Sequence, residues 1–215
     1  MTIVAFDFDG TLSDSEMTVL LGDQYGVADE MDEITERAMN DEIEYAESLR
    51  SRAALLEDLP DEKVKAAFDE VRLREDAAET IRRLNEAGIY TAILTGGFER
   101  GVAAALSREG VAVDEIVANR LPVEDDVLTG AAEGPLIEGT KDDALATLAE
   151  RQDVEMDDTI AVGDGANDLP MLEVAGLSVG FEPKAAVEPS CEVVVESFAE
   201  LQTVLEDEEV LPREQ

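Results

Sequence analysis

The sequence predicts an α/β fold: a parallel sheet with helices on both faces, and a helical lobe inserted after the first strand. Three observations predict it. From about residue 75 onward, short apolar, β-rich runs alternate with helical stretches. A first such run, residues 2–8, stands apart from the others. Between them, residues 14–74 are charged, helically periodic and poor in strand pattern.

Residues 2–8 (Thr-Ile-Val-Ala-Phe-Asp-Phe) read as a buried strand that ends in a glycine-containing turn. In the lobe, Met17, Leu20 and Leu21, then Ala46, Leu49, Ala53 and Leu56, recur at helical spacing, and Pro60 interrupts them. A helix is expected at 76–87, stopping at Gly88, then a strand at 89–94. A helix at 99–109 stops at Gly110, and a short strand follows near 114–119. Pro122, Gly130, Gly134 and Pro135 punctuate 120–138, which predicts a hairpin or flap. Next come a helix at 140–151, a strand at 159–162 and a short helix at 168–175. Strands near 177–181 and 192–196 and a helix at 198–206 complete the pattern, and the acidic residues 206–215 are expected to fray.

Composition narrows the chemistry. The 215 residues suit one domain, or a core with an insertion, and 45% hydrophobic content is enough to bury a core. No apolar run is long enough to span a bilayer, and Met1-Thr2-Ile3-Val4 lacks the basic region of a secretory signal, so a cytoplasmic location is expected. The single cysteine, Cys191, cannot close an internal disulfide and is expected to be buried and inert. The absence of histidine excludes Ser-His-Asp and Cys-His triads and histidine metal sites within the chain.

The formal net charge is −37, from 53 acidic against 16 basic residues, and the lysines are Lys63, Lys65, Lys141 and Lys184 alone. That field repels nucleic acid and anionic membrane surfaces, so neither is an expected partner. Acidity dispersed along a lysine-poor chain also predicts adaptation to high salt, where screening lowers self-repulsion. The sequence leaves the oligomeric state open.

Candidate sites fall where ligands of open α/β sheets bind, at the carboxyl ends of strands. Asp7-Phe8-Asp9-Gly10-Thr11 follows the first strand, Thr95-Gly96-Gly97 the second, and Gly163-Asp164-Gly165-Ala166-Asn167-Asp168 a later one. Lys141 starts a helix. Carboxylates gathered there repel one another unless a cation intervenes, and magnesium suits hard oxygen ligands and phosphate. One carboxylate can attack phosphorus while another protonates the leaving oxygen and later activates water. The Thr95 hydroxyl and Gly96 amide can donate to phosphate oxygens, and Lys141 supplies fixed positive charge.

These four segments, in this order, resemble the haloacid dehalogenase superfamily of phosphatases, and within it the phosphoserine phosphatase branch most closely. Ser48-Leu49-Arg50-Ser51-Arg52, Ala118-Asn119-Arg120-Leu121 and Leu128-Thr129-Gly130 extend the match over nearly the whole chain. The resemblance implies a Rossmann-like core (1–13 and 75–215) carrying a helical cap (14–74). It implies Asp7 as nucleophile and Asp9 as acid and base. Mg2+ would sit on Asp7, the Asp9 carbonyl and Asp164, with Asp168 supporting the site. Thr95, Gly96 and Lys141 would hold phosphate, and Asn167 would contact phosphate or substrate. Glu16 and Arg52 would face the amino acid, Glu16 suiting an ammonium and Arg52 a carboxylate.

The implied reaction is hydrolysis of O-phospho-L-serine to L-serine through an aspartyl phosphate, a place in serine biosynthesis. Thr95 stands where this branch usually carries serine, and the hydroxyl survives. Gly10 stands where it usually carries serine, a variant common in the wider superfamily. Two alternatives remain. Another small phosphorylated metabolite such as phosphoglycolate would leave Glu16 without an ammonium. A non-catalytic acidic cation-binding protein would have no use for the intact set of Asp7, Asp9, Lys141 and Asp164.

Overall fold

The structure, a computed structural model, describes residues 1–39 and 42–213. Residues 40 and 41 of the expected lobe, and 214–215 of the expected tail, lie outside the described residues. The core sheet is parallel throughout. Its strands are β1 (Ile3–Phe6), β2 (Tyr90–Phe98), β3 (Glu115–Asn119), β6 (Thr159–Gly163), β7 (Leu177–Phe181) and β8 (Val193–Val195), in the order β3-β2-β1-β6-β7-β8. A two-stranded antiparallel hairpin, β4 (Val123–Glu124) and β5 (Val127–Leu128), lies within the segment expected to form a flap.

β1 is apolar along its length because both of its faces are covered. Val4 and Phe6 join one core cluster, with α5 (Ala77–Glu86), α6 (Glu99–Glu109) and α9 (Phe198–Asp207). Ile3 and Ala5 join the other, with α7 (Lys141–Gln152) and α8 (Leu169–Val174). Alternate side chains of a strand point to opposite faces, so a strand between two helical layers must be hydrophobic at every position.

The inserted lobe holds α1 (Met17–Tyr25), α2 (Ala28–Met39), α3 (Tyr45–Ala54) and α4 (Asp61–Phe68). Its apolar residues Met17, Leu21, Leu49, Leu56 and Phe68 belong to the same core cluster as Phe6 and Phe98, so the lobe is packed onto the sheet. Truncating such a residue to alanine typically costs about 2–5 kcal/mol. Polar contacts also hold the lobe. The turn between α3 and α4 bonds to the hairpin through Asp58 N–H to Leu128 O (3.0 Å), Leu128 N–H to Leu59 O (2.9 Å) and Asp61 N–H to Asp126 O (2.9 Å). From α6, Arg100 pairs with Asp61 (2.7 Å), and Arg108 donates to the Asp69 and Val71 carbonyls at the end of α4 (2.7 Å each).

Three expectations need correction. β2 runs on through Thr95-Gly96-Gly97 to Phe98, with a register shift between Leu94 and Phe98, because Phe98 pairs with Asn119 at the end of β3. The end of the chain is tied down as far as it is described: Leu211 is buried, and Arg83 donates to the Pro212 carbonyl (2.9 Å), so burial outweighs local acidity. Cys191 is only partly buried, at the start of the loop before β8, and burial pushes its thiol pKa up.

Candidate active site

The site forms where the sheet order reverses. β1 lies between β2 and β6, with Phe6 level with Ile93 on one side and Val162 on the other. Asp7 is therefore the first residue beyond the paired part of β1, in the crevice that such a reversal opens at strand carboxyl ends. Its N–H still bonds to the Val162 carbonyl (2.9 Å), which fixes its direction. Asp164 leaves β6 at the same level, and Lys141, the first residue of α7, reaches in from behind.

Asp7, Asp164 and Asp168 each offer a carboxylate oxygen within 4.8 Å of the others, and all three are buried. The Lys141 ammonium bonds to Asp7 and to Asp168 Oδ1 (2.6 Å for the second). Asp168 Oδ2 accepts the amides of Asp164 and Gly165 at 2.9 Å each, so both Asp168 oxygens are engaged within the protein. Asp164 is held on one oxygen by Lys184 (3.0 Å) and on the other by the Thr11 hydroxyl (3.5 Å). Gly10 makes room for it. Its φ is +93°, and a β-carbon there would lie 2.6 Å from an Asp164 oxygen, so glycine is required twice over.

Electrostatics separate the two aspartates after β1. Burial raises the Asp7 pKa to about 7; Asp168 adds to the shift and Lys141 opposes it. Burial by itself would lower Lys141, but Asp168 and Asp7 outweigh it, leaving the ammonium firmly protonated. Asp9 is pushed well above the usual carboxylate range, first by burial, then by Glu16 and Asp7. The residue as a whole is half-buried, yet its Oδ1 is shut off from solvent with no hydrogen-bond partner. Asp7 and Asp9 are thus both raised, but by different neighbours and to different extents. The all-oxygen donors of Asp7 and Asp164, with more carboxylates than ammonium groups, fit a hard divalent cation. The three-carboxylate cluster contains Asp168 and not the Asp9 carboxylate.

The facing side of the site is built from β2. Thr95 is buried, and its Oγ1 accepts the Gly97 amide (2.9 Å). The Gly96 carbonyl is pinned by Asn119 Nδ2 (3.0 Å), whose Oδ1 accepts the Leu136 amide (3.0 Å). A β-carbon on Gly97 would lie 2.8 Å from Asp9 Oδ2, so Asp9 and this loop share one pocket.

From the lobe, Arg52 on α3 donates to the Ser48 carbonyl and the Thr18 hydroxyl (3.4 Å each); burial lowers its pKa, and Tyr45, Glu16 and Asp9 within electrostatic reach oppose that. Glu16 is exposed, immediately before α1, and its charge is felt at Asp9 and Lys184. Asn167 is exposed in the turn before α8, its Oδ1 close over Gly165. The structure therefore brings together Asp7, Asp9, Thr95, Gly96, Lys141, Asp164 and Asp168. Glu16, Arg52 and Asn167 lie around the mouth rather than in the buried cluster. Asn119, Lys184 and Tyr45 carried no role in the sequence reading. Asn119 sits in a matched stretch, which was a usable signal; Lys184 and Tyr45 arrive from loops and the lobe, with no local pattern to mark them.

The profile of the haloacid dehalogenase-like hydrolase family matches residues 4–173. The chain belongs to that family. Among curated relatives, a phosphoserine phosphatase of Halobacterium salinarum is 50% identical over 96% of this chain and 98% of its own length. One of Methanocaldococcus jannaschii is 37% identical over 90% of this chain and 92% of its own. Among solved structures, a substrate-bound phosphoserine phosphatase complex superposes with TM-score 0.86 at 35% identity, covering 94% of this chain and 97% of that one. A phospho-aspartyl intermediate analogue of phosphoserine phosphatase gives TM-score 0.85 at 36% identity over 94% and 98%. Among the described residues no helix is long and apolar enough to cross a membrane.

Proposed function

We propose that this protein is a magnesium-dependent phosphoserine phosphatase, located in the cytoplasm, in which Asp7 is the nucleophile. One observation carries the reading: a buried lysine ties Asp7 in place beside a second aspartate, Asp9, whose burial raises its carboxyl pKa well above the usual range. Asp7 attacks phosphorus and forms an acyl phosphate, while Asp9 gives its proton to the departing serine oxygen. Asp9, now a carboxylate, takes a proton from the water that cleaves the acyl phosphate, which restores both aspartates. Thr95, the Gly96 amide and Lys141 hold the phosphate and meet the charge that develops on it. Asp7, the Asp9 carbonyl and Asp164 would hold the magnesium, with Asp168 orienting Lys141 and the Asp164 backbone; the ion supplies Lewis-acid polarisation of the phosphate. Residues 14–74 act as the cap, offering Glu16 to the ammonium and Arg52 to the carboxylate of the substrate.

The test is phosphate release from a panel of phosphorylated metabolites at molar potassium chloride with and without magnesium. Phosphoserine should be hydrolysed fastest, and chelation should stop it. Faster hydrolysis of phosphoglycolate would overturn the substrate, and no hydrolysis of any compound would overturn catalysis.

A further inference from the structure

Tyr45 is the first residue of α3, and its hydroxyl reaches across from the cap to the core. A β-carbon built on Gly96 would fall 2.1 Å from that hydroxyl oxygen, so the phenol rests on the bare α-carbon of the phosphate loop. The charges of Arg52, Lys141, Asp7 and Asp9 all reach it. It therefore lies within electrostatic reach of both the cap arginine and the nucleophile. The residue is 42% exposed as a whole, while its hydroxyl end is desolvated and held protonated by burial. Among the described residues the hydroxyl makes no hydrogen bond to another protein group. A protonated, desolvated donor set against the Gly96 backbone without a protein acceptor calls for an acceptor on the ligand.

We propose that the Tyr45 hydroxyl is an additional phosphate-binding donor, supplied by the cap to a phosphate held on its other side by Thr95, Gly96 and Lys141. The proposal rests on the phosphatase reading and deepens it. It gives Gly96 a second duty, since any side chain there would displace the phenol. It also ties cap to core through the ligand: a phosphate in the site is gripped by both. Because phosphate is present in substrate and in product, such a donor acts on both, and its loss appears as weaker binding rather than slower chemistry.

The test is Tyr45→Phe, which keeps the ring and its packing and removes only the oxygen. Two quantities are read: the steady-state constants for phosphoserine, and the affinity for inorganic phosphate by calorimetry in the presence of magnesium. One hydrogen bond to a charged group predicts that KM and the phosphate dissociation constant both rise about tenfold, with kcat within about twofold. Wild-type values for both constants would overturn the proposal, as would a fall in kcat with phosphate affinity unchanged. If the wild-type enzyme does not hydrolyse phosphoserine, the substrate reading fails on its own, and the phosphate affinities of the two proteins still decide the role of Tyr45.

Discussion

Replacing Asp9 with asparagine separates proton donation from everything else in the site. Asn has the volume of Asp and keeps an N–H, but it has no proton to transfer. In the structure Asp9 Oδ1 is closed off from solvent and unpartnered, and burial, Glu16 and Asp7 raise the carboxyl pKa well above the usual range, which favours the proton-bearing form. General-acid catalysis is worth about 10²–10⁴-fold, or roughly 3–5 kcal/mol of barrier. The need for it depends on the leaving group. Serine departs as a strongly basic alkoxide and needs the proton, whereas a nitrophenolate departs without one. Asp9→Asn should therefore lower kcat/KM for phosphoserine by at least about 100-fold and for p-nitrophenyl phosphate by less than about tenfold. Comparing kcat/KM confines the test to steps up to formation of the acyl phosphate. With the aryl substrate a pre-steady-state burst of nitrophenolate should appear, because Asp9 is also missing as the base for the second step. Equal losses on the two substrates, with no burst, would refute the assignment of Asp9 as the acid.

Asp7→Asn should lower turnover by at least about 10⁴-fold with the circular dichroism spectrum unchanged; substantial residual turnover would remove Asp7 as nucleophile. Glu16→Ala should weaken phosphoserine more than an aryl phosphate, by about tenfold in kcat/KM, since only the first carries an ammonium; equal losses would show that Glu16 does not contact it. Transfer from molar to millimolar potassium chloride should unscreen the −37 charge and lower the melting temperature by roughly 5–10 °C, equivalent to about 2–3 kcal/mol, and a salt-independent melting curve would exclude halophilic adaptation.

Much of the core was legible because its signals are local. A strand covered on both faces must be apolar at every position, so Ile3–Phe6 is recognisable from composition alone. Helix ends at Gly88 and Gly110 follow from the left-handed conformation each adopts, with φ of +72° and +63°. The full extent of β2 was not legible. Thr95-Gly96-Gly97 has the composition of a loop, and only the pairing of Phe98 with Asn119 on β3 carries the strand past it. The tail follows the same rule: its acids suggest fraying, while Leu211 is buried and Arg83, 129 positions away in the chain, bonds to the Pro212 carbonyl.

The site divides along the same line. By itself the sequence marked Asp7, Asp9, Thr95, Lys141 and Asp164 as the chemistry-bearing residues, because residue type and position at strand or helix ends are local properties. Only the tertiary structure decided their states. Asp7 and Asp9 are two residues apart and chemically identical, yet burial against different neighbours raises one to about 7 and the other well above the carboxylate range. Likewise, nothing within α3 marks Tyr45; it matters because the cap folds over the sheet and sets its hydroxyl on Gly96. Desolvation and long-range contact are properties of the packed chain, and no local pattern encodes them.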